Sequence, residues 1–169
     1  MRTILGIDPG LARVGYGLIR FEGSRFRYLT HGVIRTSSRA SMGSRLQSIH
    51  DAIERLLEEH RPDAAGMETL FFARRSPSAL DVAQARGVLL LALAQYGISV
   101  GEYTPSQIKL AVLGRGAGRA EKRQIQEILK LLLGLKRLPR PYDAADALAI
   151  AVCHCNSTWS NLAPGTSRR

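Results

Sequence analysis

The chain has 169 residues, 45% apolar and 22% charged, a balance that excludes an extended disordered polymer and suits one domain able to bury a proper core. Its 24 Lys and Arg against 14 Asp and Glu leave a net charge of +10, more than solubility asks for, and point to a polyanionic partner, nucleic acid before others. The apolar run Val88 to Ala94 falls far short of the ~20 residues of a membrane span, and the residues after Arg2 lack a signal-peptide pattern, so no membrane role and a cytoplasmic location are expected.

In chain order, Ile4 to Gly10 reads as a buried strand that stops on Asp8 and breaks at Pro9-Gly10. Val14 to Phe21 and Arg25 to Arg35 are strand-like and joined by a Gly23-Ser24 turn, which predicts a three-stranded antiparallel meander. Leu46, Ile49, Ile53, Leu56 and Leu57 give Ser41 to His60 the spacing of an amphipathic helix laid on the sheet. A small-residue strand, Asp63 to Glu68, leads to an irregular loop, Thr69 to Pro77. Ser78 can cap a helix from Ala79 to Tyr96, whose apolar girth from Val88 to Ala94 asks for burial against sheet, helix or a partner subunit. Then come a strand, Ile98 to Tyr103, a short helix, Pro105 to Val112, and a basic glycine link, Gly114 to Gly118. Helices over Ala120 to Leu133 and Tyr142 to Asn156 complete a single domain, residues 1–156; residues 157–169 have the composition of a basic tail with little order. A meander joined to right-handed strand-helix-strand crossovers makes a mixed α/β sheet.

Cys153 and Cys155 flank His154 but are no metal site, because residues two apart on a helix point about 200° apart. They read as packing residues of a reducing compartment. The carboxylates are more telling. Asp8 and Glu68 both close apolar strands, where a charge must be hydrogen-bonded, paired or metal-bound. Asp8 taken alone also fits an ordinary Asp-Pro-Gly turn. Asp143 and Asp146 lie three apart at the start of an alanine-rich helix, on one face; the helix dipole accounts for the first better than the second. If the two strands are neighbours and this helix packs at their ends, four carboxylates converge, and like charges at that density need cations. All-oxygen ligation favours Mg²⁺, with Mn²⁺ able to substitute, and two such ions can drive phosphodiester hydrolysis. The glycines of Gly10 to Gly17 make neither a P-loop nor a dinucleotide fingerprint.

With these residues in view, the chain resembles the RuvC family of Holliday-junction resolvases, in the ribonuclease H-like superfamily. The resemblance runs through Ile4-Leu-Gly-Ile-Asp-Pro-Gly-Leu11, Gly15-Tyr-Gly17, Glu68 with Phe71, Ser78-Ala-Leu80 and Gln84-Ala-Arg-Gly87. It continues through Tyr103-x-Pro105, Gln107-x-Lys109, Ala120-Glu-Lys122 and Asp143-Ala-Ala-Asp-Ala-Leu-Ala149. It implies a ribonuclease H-like fold, a five-stranded mixed sheet of an antiparallel meander plus two parallel strands, flanked by helices. It also implies a Mg²⁺-dependent homodimer, with two ions per site, that cuts four-way junction DNA by paired symmetric nicks and acts with the RuvA and RuvB branch-migration proteins in recombination and repair. By position, Asp8, Glu68, Asp143 and Asp146 become the catalytic, metal-holding acids. Phe71 becomes an aromatic near the crossover, and Lys109 and Lys122 become phosphate contacts. Arg74, Arg75, Arg115 and Arg119 are further expected DNA contacts, although the link Gly114 to Arg119 is two residues longer than the family's usual one, which blurs the match there.

Overall fold

The computed structural model describes residues 1–23, 25–69, 77–114 and 121–158. Its strands are β1 (Arg2–Asp8), β2 (Arg13–Glu22), β3 (Arg25–Arg35), β4 (Ala64–Glu68) and β5 (Val100–Tyr103). Its helices are α1 (Met42–His60), α2 (Pro77–Gln95), α3 (Pro105–Leu113), α4 (Lys122–Leu132) and α5 (Tyr142–Thr158). The sheet order is β3-β2-β1-β4-β5. β1, β2 and β3 pair antiparallel, while β4 lies parallel to β1 and β5 parallel to β4, so the expected meander and two parallel strands are both present.

Alternation along β1 sorts the core onto two faces. Leu5 and Ile7 join Ile49, Ile53 and Leu57 of α1 and Leu89 and Leu93 of α2. Ile4 faces the other way, toward α5 and the residues of α3 and α4. The β1–β4 register is anchored at its start, where the Thr3 amide donates to Asp63 Oδ2 at 2.7 Å and the Asp63 amide donates to the Thr3 carbonyl at 2.8 Å. Asp63 therefore serves as this anchor, and the strand proper begins one residue later than expected. With Ile7 opposite Met67, the next residues along, Asp8 and Glu68, end side by side.

A row of glycines crosses the sheet beneath α5: Gly17 pairs with Gly6, Gly6 with Gly66, and Gly66 with Gly101. Gly6, Gly17 and Gly101 have no room for a side chain, and a Cβ on Gly66 would be tight against His154 and Ile150 at 3.1 Å. A Cβ on Gly6 would overlap the carbonyl oxygen of Ala147 and come within 2.7 Å of the Ala151 amide; one on Gly17 would meet Leu148 at 2.8 Å. The helix thus sinks into a trough with no side chains, with α3 and α4 packed against it as well. Every residue from Ala144 to Cys155 except Asp146 is buried. The alanines thus serve a helix enclosed on all sides over this stretch.

Three other expectations shift. α2 begins at Pro77, so Ser78 lies within the helix rather than capping it. Along α2, Ala85, Leu89, Ala92 and Leu93 are buried, but Leu80 and Leu91 are 68% and 56% exposed, so the apolar girth is only partly covered. α5 continues to Thr158, two residues past the expected end of the domain. Cys153 and Cys155 are buried packing residues, as expected, and burial pushes their thiols up to about 11 and about 12.

Candidate active site

The four acids meet at the ends of the two central parallel strands. Asp8 is the last residue of β1 and pairs directly with Gly15 of β2. Gly15 is itself a point of close approach, since a Cβ there would overlap the carbonyl of Asp143. Gly15 thereby lets the first turn of α5 settle against the strand next to Asp8, while the parallel register supplies Glu68 from the other side. Asp143 and Asp146 project from the first turns of α5, the only polar breaks in its opening stretch from Asp143 to Val152.

The charges act as one group. Burial, then the charges of Asp146, Glu68 and Asp143, together raise the Asp8 carboxyl from its ordinary 3.8 to about 7 against the opposing pull of Lys122. Glu68 is also raised, by burial first and then by Asp146, with Lys122 again opposing. Two cations offset part of this. Lys122 Nζ donates to Asp146 Oδ2 at 3.1 Å, and Arg13 Nη1 lies 3.6 Å from Asp143 Oδ2. Burial pulls the Lys122 ammonium down, but its hydrogen bond to Asp146, with the charges of Asp146, Asp8 and Asp143, leaves it raised overall. Two cations against four acids leave two negative charges when all ionise, a deficit that a divalent cation matches. The donor set is all carboxylate oxygen, which suits Mg²⁺ or Mn²⁺. A trio whose ligand atoms lie within 4.8 Å of one another occurs elsewhere, at His50, Asp51 and Glu54 of α1, on the opposite face of the sheet. Among the described residues no three of the four site acids draw together so tightly.

The basic residues are placed by caps. Thr104 and Gln107 form a reciprocal capping box, with Pro105 opening α3, and this turn sets Lys109 one helical step on. The Glu121 amide donates to Gln124 Oε1 at 3.0 Å, so α4 starts at Lys122 beside Asp146. A cleft of about 210 Å³ results, lined by Glu68, Asp146, Lys109 and Lys122 with Ile108, Ile125 and Ile150. Phe71, Arg74, Arg75, Arg115 and Arg119 lie outside the described residues.

Two residues escaped the sequence reading. Arg13 is one; its signal was its place at the start of β2, two residues before Gly15. The other is Arg86, 8% exposed, the single cation in the stretch of α2 from Leu80 to Leu93. Its Nη1 donates to the Glu68 carbonyl at 2.8 Å and its Nη2 lies 2.7 Å from Glu102 Oε1 on β5. With the Thr69 amide donating to the Tyr103 carbonyl at 2.9 Å, this pins the strand end that carries Glu68. Arg86→Met should lower stability by about 1 kcal/mol, since it leaves a part-buried carbonyl without its donor. It should also weaken Mn²⁺ binding, measurable by calorimetry. Unchanged values of both would show that the clamp is idle.

Comparison with known proteins meets this geometry directly. The family model described as "Crossover junction endodeoxyribonuclease RuvC" matches residues 4–154. The chain is 53% identical over 153 residues to the crossover junction endodeoxyribonuclease RuvC of Treponema denticola, covering 90% of this chain and 85% of that one. It is 51% identical over 154 residues to the protein of the same name from Syntrophomonas wolfei, covering 91% and 88%. Its fold superposes on Thermus thermophilus RuvC, solved in complex with a Holliday junction substrate, with a TM-score of 0.89 at 34% identity, covering 95% of this chain and 97% of that one. Since the match begins in the strand that ends on Asp8 and reaches past both acids of α5, it takes in the whole site, and the chain belongs to the RuvC family of crossover junction endodeoxyribonucleases.

Proposed function

We propose that this chain resolves Holliday junctions as a structure-selective DNA endonuclease, with Asp8, Glu68, Asp143 and Asp146 holding two Mg²⁺ ions at each active site. The observation that carries the reading is the convergence of four acids at a buried strand end, where burial first and then the charges of Asp146, Glu68 and Asp143 leave Asp8 protonating near neutrality unless further positive charge arrives. When bound, the ions supply Lewis-acid neutralisation of the scissile phosphate and a water acidic enough to attack it.

The chain's own residues do the rest. Asp8 and Glu68, fixed on adjacent strands, and Asp143 and Asp146, fixed on a helix that cannot shift in its glycine trough, hold their oxygens in a preset arrangement. Lys122 and Lys109, on the basic side of the cleft, take backbone phosphates next to the cut. The DNA contacts expected of Phe71, Arg74, Arg75, Arg115 and Arg119 belong to the same reading and rest on the sequence.

Paired nicks need two sites in one particle, which a symmetric homodimer provides. The exposed stripe of α2 through Leu80, Gln84, Gly87 and Leu91 repeats at helical spacing on one face and supports that element as the contact. RuvA and RuvB are the partners this membership implies, and the cytoplasm, where the DNA is, is the expected location. No helix among the described residues is long and apolar enough to cross a membrane.

The test compares a synthetic four-way junction, the matching linear duplex and a structured RNA under Mg²⁺, Mn²⁺ and EDTA. Matched cuts in opposing strands of the junction, dependent on Mg²⁺ or Mn²⁺, are expected. Equal cutting of duplex or RNA, or cutting in EDTA, would defeat the reading.

A further inference from the structure

We propose that Arg13 and Arg35, cross-strand neighbours on the rim of the acid cluster, form a clamp for one backbone phosphate of the DNA strand being cut. The inference rests on the proposed nuclease function and extends the binding surface to the side of the cluster opposite Lys122.

The two arginines stand directly opposite each other in the β2–β3 register, which puts their Cβ atoms about 4.5–5.5 Å apart on one face of the sheet. That face is the one bearing the acids. Side chains alternate along β2, and Gly15, two residues after Arg13, abuts the backbone of Asp143. Arg13 itself reaches Asp143 at 3.6 Å, while Arg35 is exposed and makes no ion pair among the described residues. Like charges set directly opposite one another weaken a strand pair, so the arrangement costs stability unless an anion sits between them. Two guanidinium forks converging at the lip of a phosphodiester-cutting site suit a phosphate.

The placement also fits a strand path. Each of the two α5 acids carries a cation on a different flank, Asp146 with Lys122 from α4 and Asp143 with Arg13 from β2. A strand held at Lys122 on one bank and at Arg13 and Arg35 on the other crosses all four carboxylates between. A second arginine pair, Arg20 opposite Arg27, lies in the same hairpin, but Ile19 and Phe21 beside Arg20 pack toward α5, which turns Arg20 and Arg27 to the other face. It serves as the internal control.

The experiment measures binding of the four-way junction in EDTA across a salt series for the full chain and for Arg35→Gln, Arg13→Gln, the Arg13→Gln/Arg35→Gln double variant and Arg27→Gln. Arg35→Gln should weaken binding about five- to tenfold, on a scale where tenfold is one lost charge-assisted contact. It should also flatten the logarithmic salt slope by about 0.9, one phosphate's share. The double variant should lose no more than about twofold beyond the larger single loss, because both arginines hold the same phosphate, and Arg27→Gln should match the parent within twofold. Unchanged affinity and slope in Arg35→Gln, losses that multiply in the double variant, or an equal loss in Arg27→Gln would each overturn the clamp. Cutting of the junction by the parent on the same preparation separates the cases: a parent that cuts while Arg35→Gln binds normally refutes the clamp alone, and a parent that neither binds nor cuts refutes the nuclease reading with it.

Discussion

Asp8→Asn should abolish cleavage of a four-way junction and at the same time stabilise the metal-free protein. Loss of one of the oxygens proposed to hold metal would remove several kcal/mol of transition-state stabilisation, so the single-turnover rate should fall by at least about a thousandfold. The stability effect arises from the burial of an ionised carboxylate, to which the charges of Asp146, Glu68 and Asp143 add. A carboxyl held at about 7 when folded and 3.8 when free keeps its proton in the folded chain after the unfolded chain has lost it. Its contribution to stability is fully present below about pH 4 and is lost as pH rises through 7.

The whole interval corresponds to on the order of 4 kcal/mol, of which one substitution recovers part because the neighbouring acids share the repulsion. In EDTA at pH 8 the Asn variant should therefore melt higher by roughly 5–10 °C, the gain shrinking toward zero near pH 4. Millimolar Mn²⁺ should raise the melting temperature of the parent and do much less for the variant, since the ion takes the place of the missing positive charge. Thermal melts over pH 4 to 8, with and without Mn²⁺, check this. Equal melting of parent and variant at pH 8 in EDTA would mean that Asp8 bears neither the burial penalty nor the repulsion of its neighbours.

Gly6→Ala should be among the most damaging single-methyl changes at the described residues. The added Cβ meets main-chain atoms of α5 at Ala147 and Ala151, which do not rotate away as a side chain can. Relief requires the helix to lift off the sheet, at a cost of about 3 kcal/mol or more, at the upper end for overpacked cores because the atoms met are main chain. The consequence reaches the chemistry, because Asp143 and Asp146 ride on α5 while Asp8 sits two residues beyond Gly6 on β1. Any folded fraction should then cut slowly even at saturating Mg²⁺. Gly43→Ala is the matched control: it lies within α1, a Cβ there meets nothing within 4 Å, and it should be neutral or stabilising by up to about 1 kcal/mol. Chemical denaturation and single-turnover cleavage of the three proteins decide the matter; a Gly6→Ala protein as stable as the control would refute the trough.

Local chemistry along the chain was enough to find the elements and the acids. Asp8 and Glu68 stood out because each ends an apolar strand with a charge, and Asp143 and Asp146 because they interrupt a run of alanines. Strand alternation, helical spacing and breakers are written within a few residues, so order and type could be read, with ends displaced by a residue or two where a cap or anchor such as Asp63 intervenes. The Gly17-Gly6-Gly66-Gly101 row was invisible as a row. Its members come from four strands, and only their register makes them adjacent. The same holds for the pairing of Arg13 with Asp143, of Lys122 with Asp146 and of Arg86 with the Glu68 carbonyl.

The sequence by itself thus determined which groups the protein has for its chemistry: four carboxylates, a surplus of cations and a mixed sheet to carry them. Tertiary structure alone decided which cation answers which acid, how closely α5 approaches the strands and which side of α2 stays open. Those outcomes depend on contacts between residues tens of positions apart, where packing and register, not local preference, set the distance.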